Sequence, residues 1–146
     1  MTRALGVDLG SKRIGLAVSD RSGTIASPLQ VLRRSKSSRH DLAEIARVAH
    51  DEEAQVIVVG LPLTMAGDHG PAARAAVAEA ERLATVVDVP VEMHDERLTT
   101  VTADRAMIAA DMRAPARRQV VDKVAAAVML QAWLDSRSAD TAGTAP

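Results

Sequence analysis

Four groups of carboxylates stand where strands or helices should end. Asp8 sits in the apolar run GVDLG, Asp20 in SDRSG, Asp95 and Glu96 in DER, and Asp122 at the head of VVDKVAAAVMLQAWL. An ionised carboxylate placed in apolar surroundings costs several kcal/mol unless it is paired or neutralised. A divalent cation removes that cost. Mg²⁺ takes oxygen ligands, keeps several waters and needs only a few carboxylates besides a substrate phosphate. Two such ions about 4 Å apart can stabilise both the attacking and the leaving oxygen of a phosphodiester displacement. Each acid also has a plain structural role available to it. Asp8 could cap a turn, Glu96 could pair with Arg97 or Arg13, and Asp122 could meet the dipole of a helix start. Asp20, between Ser19 and Arg21-Ser22-Gly23, fits turn chemistry better than ligation, and Asp95 fits either role.

The elements that must position these acids follow from the pattern. Ala4 to Leu9 is a short apolar strand, closed by the turn residues Gly10-Ser11. Gly6 and Gly10 flank Asp8, either leaving room for a metal and phosphate or serving as strand and turn residues. Ile14, Leu16 and Val18 alternate with small residues as a second strand. Thr24 to Leu32 is a third, with Pro28 demoting part of it to an edge or bulge. A helix starts near Ser35 to Ser38, with Ser38 and Asp41 spaced as a capping box. Gln55 to Gly60 is continuously apolar, as in a parallel strand buried on both faces. Leu61 to Gly70 is a loop, and Pro71 opens the next helix. Val89 to His94 is an edge strand carrying Pro90. Thr99 or Thr100 caps a helix to about Met112, Pro115 breaks the chain, and Val120 to Leu134 is a buried final helix. The order β-β-β-α-β-α-β-α-α predicts an α/β fold, with three antiparallel and two parallel strands in one mixed five-stranded sheet, flanked by helices. Residues 1–136 form one domain in this reading, and 137–146 a disordered tail.

Composition narrows the chemistry. The 146 residues are 47% hydrophobic and 25% charged, with no Cys, Phe or Tyr and a single Trp. Thiol catalysis, disulfides and zinc–thiolate sites are excluded. Stacking of bases on Tyr or Phe is excluded too, and Trp133 is expected in the core or at a dimer contact. No apolar run approaches the roughly 18 residues of a membrane span, and the N-terminal residues lack a signal-peptide pattern; a cytoplasmic protein is expected. The net charge of −1 is unevenly spread: residues 1–40 hold eight Lys/Arg against two Asp, and the remainder ten against seventeen acids. Such asymmetry can mark an edge that faces a polyanion. Lys12, Arg13, Arg33, Arg34, Lys36, Arg39, Arg117, Arg118 and Lys123 are candidate phosphate contacts, which give affinity without sequence readout.

Four blocks, GVDLGSKRIGLAVSD, VIVVGLPLTMAGDHGPAA, DERLTTVTA and VVDKVAAAVMLQAWLD, occur in that order. Together they resemble the YqgF family, also called RuvX, whose members are described as candidate pre-16S rRNA nucleases or Holliday junction resolvases. The resemblance spans residues 4–136 and implies a ribonuclease H-like fold. It implies that Asp8, Glu96 and Asp122 are the catalytic acids and hold Mg²⁺ or Mn²⁺. Lys12 and Arg13 match the family's basic hairpin pair. Arg97, Thr99 and Thr100 match the residues after the Glu, and Pro62, Leu63, Met65 and Gly67 match its glycine loop. Ala66 departs from the usual Asp or Asn. No fourth acid of the kind found in related resolvases is evident, unless Asp95 serves. The implied activity is metal-dependent hydrolysis of structured nucleic acid, foremost at the 5′ end of pre-16S rRNA. The alternatives are a Holliday junction resolvase, which as a symmetric cutter would act as a homodimer, and a nucleic-acid-binding processing factor without catalysis. An ATP-handling enzyme, suggested by Asp-Leu-Gly, would need a second phosphate loop for which the chain has no room.

Overall fold

In the computed structural model, the described residues are 2–96 and 123–137. Strands β1 (Ala4–Leu9), β2 (Arg13–Ser19) and β3 (Ala26–Arg33) are followed by helix α1 (Ser38–Asp51), β4 (Val56–Leu61), α2 (Pro71–Ala84) and β5 (Val91–Asp95). A further helix covers residues 123–137. The sheet order is β3-β2-β1-β4-β5. β1 is central, antiparallel to β2 and parallel to β4, and β4 is parallel to β5. The mixed five-stranded sheet is therefore the one the element order predicts.

Alternation along the strands explains the two cores. Leu5 and Val7 of β1 and Ile57 and Val59 of β4 pack with Leu42, Ile45 and Val48 of α1 and Ala80 and Leu83 of α2. Ala4, Val56 and Val58 face the other way and pack with Ala125, Ala126, Met129, Leu130 and Trp133 of the helix 123–137. With apolar side chains on both faces, β4 has no need of alternation. The second core is rich in alanine, which lets that helix come close to the sheet. A Cβ on Gly6 would lie 2.9 Å from Leu130 Cβ and 3.3 Å from the Ala126 carbonyl oxygen. Gly6 is thus a helix-packing residue, and not room for a ligand. Trp133 is buried in this core, with the Arg137 guanidinium 4.5 Å from its ring centre.

Several boundaries move for identifiable reasons. β3 begins at Ala26, not Thr24, because the Asp20 carboxylate accepts hydrogen bonds from Thr24 N (2.8 Å) and Ile25 N (3.0 Å) and holds both in the turn. Those bonds hold the Asp20 pKa far below the usual carboxylate range. Pro28 does sit on an edge strand and beside a register shift, as Ala17 pairs with Pro28 and Leu16 with Gln30. Ser37, not Ser38, caps α1, its side chain accepting from His40 N. Asp41 instead reaches back to accept from Ser35 N at 3.0 Å and Ser35 Oγ at 2.8 Å. β5 lies at the sheet edge, as Pro90 suggests, but starts at Val91. The helix expected from Thr99 or Thr100 to Met112, and the break at Pro115, lie outside the described residues. Among the described residues, no helix is long and apolar enough to cross a membrane.

Candidate active site

Because β1, β4 and β5 are mutually parallel, their carboxyl ends share one edge of the sheet, where α/β folds place ligands. Asp8 stands near the end of β1. Gly60 and Leu61 end β4. Asp95 closes β5 and Glu96 follows it directly.

The face is set by alternation. Val7 packs against α1 and α2, so Asp8 turns to the face that carries the helix 123–137, as Gly6 does. Glu96 reaches the same face. A Cβ built on Gly60 would lie 2.6 Å from Glu96 Oε1, 3.1 Å from its Cδ and 3.2 Å from its Cγ. The Glu96 side chain therefore occupies the space that any other residue at 60 would fill. It leans from the end of β5 across β4, in the direction of β1. Both acids are half-buried and both have interaction partners. His94 pairs in register with Gly60 on this face. It is 8% exposed, and its Nε2 has no hydrogen-bond partner among the described residues. Burial lowers its pKa, and the Asp95 charge opposes that only in part. Asp95, next to His94 in the strand, turns to the opposite face and does not supply a fourth acid beside Asp8.

Such an edge suits a hard cation through its oxygen donors: two carboxylates on one face, one of them seated where Gly60 lacks a Cβ. Among the described residues, no three His, Asp or Glu side chains form a metal-binding group. Asp122, the third expected acid, lies outside the described residues, as do Arg97, Thr99, Thr100, Arg117 and Arg118. Lys123, the next residue after Asp122, opens the described part of the helix that covers this face.

The basic residues divide by place. Lys12 lies in the β1–β2 turn and Arg13 opens β2, just after Asp8, whose carbonyl accepts from Gly10 N at 3.1 Å. Gly10 is a turn residue, since a Cβ there would lie 2.5 Å from the Arg13 carbonyl oxygen. Arg33, Lys36 and Arg39 stand at the same end of the sheet, around the start of α1. Arg34 does not join them as a phosphate contact. Its guanidinium is bound bidentately by Glu79 of α2, its Nε donates to the Gly10 carbonyl at 2.9 Å, and its backbone N donates to the Lys12 carbonyl at 2.9 Å. Glu79 raises the Arg34 pKa further. The pair clamps the turn after Asp8 onto α2. Arg3 and Arg21, at the opposite end, pair with Glu52 and Glu53. Glu79→Gln leaves a largely buried guanidinium without its counter-charge, so urea unfolding is expected to show a loss of about 3 kcal/mol.

Two residues of this edge escape sequence reasoning. Gly60 reads as the end of an apolar strand, and its lack of a side chain acquires meaning only when Glu96 is seen above it. His94 reads as an edge-strand residue. A histidine two positions before the Glu of DER, on the same strand face, is the signal that was available.

A family model described as "RuvX: Holliday junction resolvase" matches residues 2–136. A protein of Mycobacterium sp. (strain KMS) named "Putative pre-16S rRNA nuclease" is 47% identical over 138 residues, covering 94% of this chain and 82% of that one. One of the same name from Myxococcus xanthus (strain DK1622) is 47% identical over 140 residues, covering 95% and 92%. Among solved structures, Thermus thermophilus RuvC in complex with a Holliday junction substrate aligns with a TM-score of 0.58 at 18% identity, covering 93% of this chain and 96% of that one. That likeness shows the fold, which is ribonuclease H-like. With its sheet order, its four motif blocks and a family match over nearly its whole length, the chain belongs to the RuvX family.

Proposed function

We propose that this chain is a metal-dependent nuclease that hydrolyses a phosphodiester at the 5′ end of pre-16S rRNA. The observation that carries the reading is the Glu96 carboxylate lying over Gly60, on the face and at the sheet edge where Asp8 stands. The names of the curated relatives support the substrate.

In this reading Asp8, Glu96 and Asp122 hold Mg²⁺ or Mn²⁺. When bound, such an ion supplies charge stabilisation to the phosphodiester and acidity to water at neutral pH. Lys12 and Arg13 approach the phosphates on the β1–β2 turn, and Lys123 does so from the helix start. Arg97, Thr99, Arg117 and Arg118 complete the phosphate contacts. The helix 123–137 closes one side of the site and limits water there, which strengthens each charge interaction. The Arg34–Glu79 pair keeps the Asp8 turn in place without touching substrate.

A second reading, cleavage of a four-way DNA junction, is favoured by the description of the matching family model. That reaction would call for a homodimer, so that two strands are cut symmetrically. A side-by-side cleavage assay decides. An RNA spanning the 5′ end of 16S rRNA, single-stranded DNA and a four-way junction are each incubated with the protein and Mn²⁺ or Mg²⁺. The expected result is metal-dependent cutting of the RNA. Cutting of the junction alone would replace this reading with the second, and cutting of none would leave the chain as a binding factor.

A further inference from the structure

Among the described residues, three large hydrophobic side chains are exposed: Ile25 at 62%, Met65 at 94% and Val86 at 51%. Ile25 closes the β2–β3 turn and Val86 follows α2, so both lie at the end of the sheet where β1, β4 and β5 begin. Met65 lies at the other end. It follows β4 by a few residues, at the end of the sheet where Gly60 and the Glu96 side chain stand.

The loop that carries Met65 is built. Gly67 N donates to the Thr64 carbonyl at 2.8 Å, and Gly67 has φ of 88°, a left-handed conformation that favours glycine. Thr64 N donates to the Asp68 carbonyl at 3.0 Å, and Asp68 N donates back to Thr64 Oγ1 at 3.0 Å. On this turn the Met65 side chain stands out from the core, 94% exposed. Exposing an apolar side chain on a hydrogen-bonded turn costs hydration free energy that contact with a partner recovers.

The chain offers no large aromatic ring for meeting a base. It has no Phe or Tyr, and its one Trp is buried under Arg137. Methionine can take that role: its thioether is polarisable and unbranched and packs well on π faces, and Met is among the side chains that wedge between base steps. We propose that Met65 packs against a nucleobase beside the phosphodiester that is cut, so that the enzyme selects an unpaired or unstacked nucleotide there. The proposal rests on the nuclease reading above and assigns one determinant of its substrate choice.

Binding is measured in the Asp8→Asn background, which removes cutting. The probes are an RNA spanning the 5′ end of 16S rRNA, with 2-aminopurine at single positions on either side of the mature end, and the same sequence fully paired. With Met65 present, one 2-aminopurine position changes its fluorescence on binding. Met65→Ala abolishes that change and weakens binding of the unpaired RNA about tenfold, while binding of the paired form is unaltered; Met65→Leu keeps the signal. At 94% exposure the substitution leaves the core untouched, so a circular dichroism melt is expected to match. Met65→Ala with undiminished fluorescence change and affinity overturns the proposal, as does the absence of any change with Met65 present. Failure of the Asp8-intact protein to cut the RNA overturns the nuclease reading separately and leaves the fluorescence result standing.

Discussion

Asp8→Asn is expected to lower metal-dependent cleavage by at least about a thousand-fold, roughly 4 kcal/mol in the barrier, while folding and RNA affinity stay close to wild type. Asparagine keeps the size of the side chain and one acceptor oxygen, so the half-buried position at the end of β1 is not emptied. What it removes is the negative charge that makes an oxygen site attractive to a hard dication. Glu96→Gln should behave alike. If the two acids act as one unit, the double variant is little worse than either single one, because residues that share a function lose it together. Gel assays of the three variants with Mn²⁺ check this. A purified Asp8→Asn protein that cuts at the wild-type rate would end the catalytic assignment.

Gly60→Ala is the sharper prediction, because ordinary strand energetics point the other way. β4 is regular through Gly60, which pairs with His94, and alanine has less backbone entropy to lose than glycine. Thermal stability should therefore hold or rise slightly. The new Cβ, however, would sit 2.6 Å from Glu96 Oε1. The carboxylate is the far end of a flexible side chain, so it gives way before the β4 backbone does. A reacting group displaced by about 1 Å can cost on the order of a hundred-fold in rate. Cleavage is expected to fall by about that factor in a protein that melts as well as wild type. Adding Gly60→Ala to Glu96→Gln should do nothing more, since the group it displaces is already disabled. Undiminished cleavage by Gly60→Ala would mean that the placement of Glu96 over β4 has no part in the reaction.

The sheet was legible in the residues because each strand announces itself by a different pattern. β2 alternates, β4 is apolar throughout and Pro90 stands just before the edge strand β5, which together leave little freedom in strand order. The cap of α1 was misplaced by one residue, since Ser35, Ser37 and Ser38 are chemically alike and only geometry shows that Asp41 turns back to Ser35. Asp8 was legible as a carboxylate in an apolar run. The purpose of its flanking glycines was not: Gly6 admits Leu130 and Gly10 makes a turn, while the glycine that makes room for an acid is Gly60, some fifty residues away in sequence. Arg34 looked like its basic neighbours because nothing local reveals Glu79, whose carboxylate comes from a helix beyond the next strand. Contacts that cross the fold in this way are the part of a site that residue spacing cannot carry.

Mn²⁺ binding, followed by electron paramagnetic resonance on wild type, Asp8→Asn and Glu96→Gln, tests the central claim most directly. The account predicts saturable binding by wild type and at least tenfold weaker binding by either variant, a difference of about 1.4 kcal/mol or more. Equal Mn²⁺ affinity in all three proteins would contradict it, because Asp8 and Glu96 would then not share a metal.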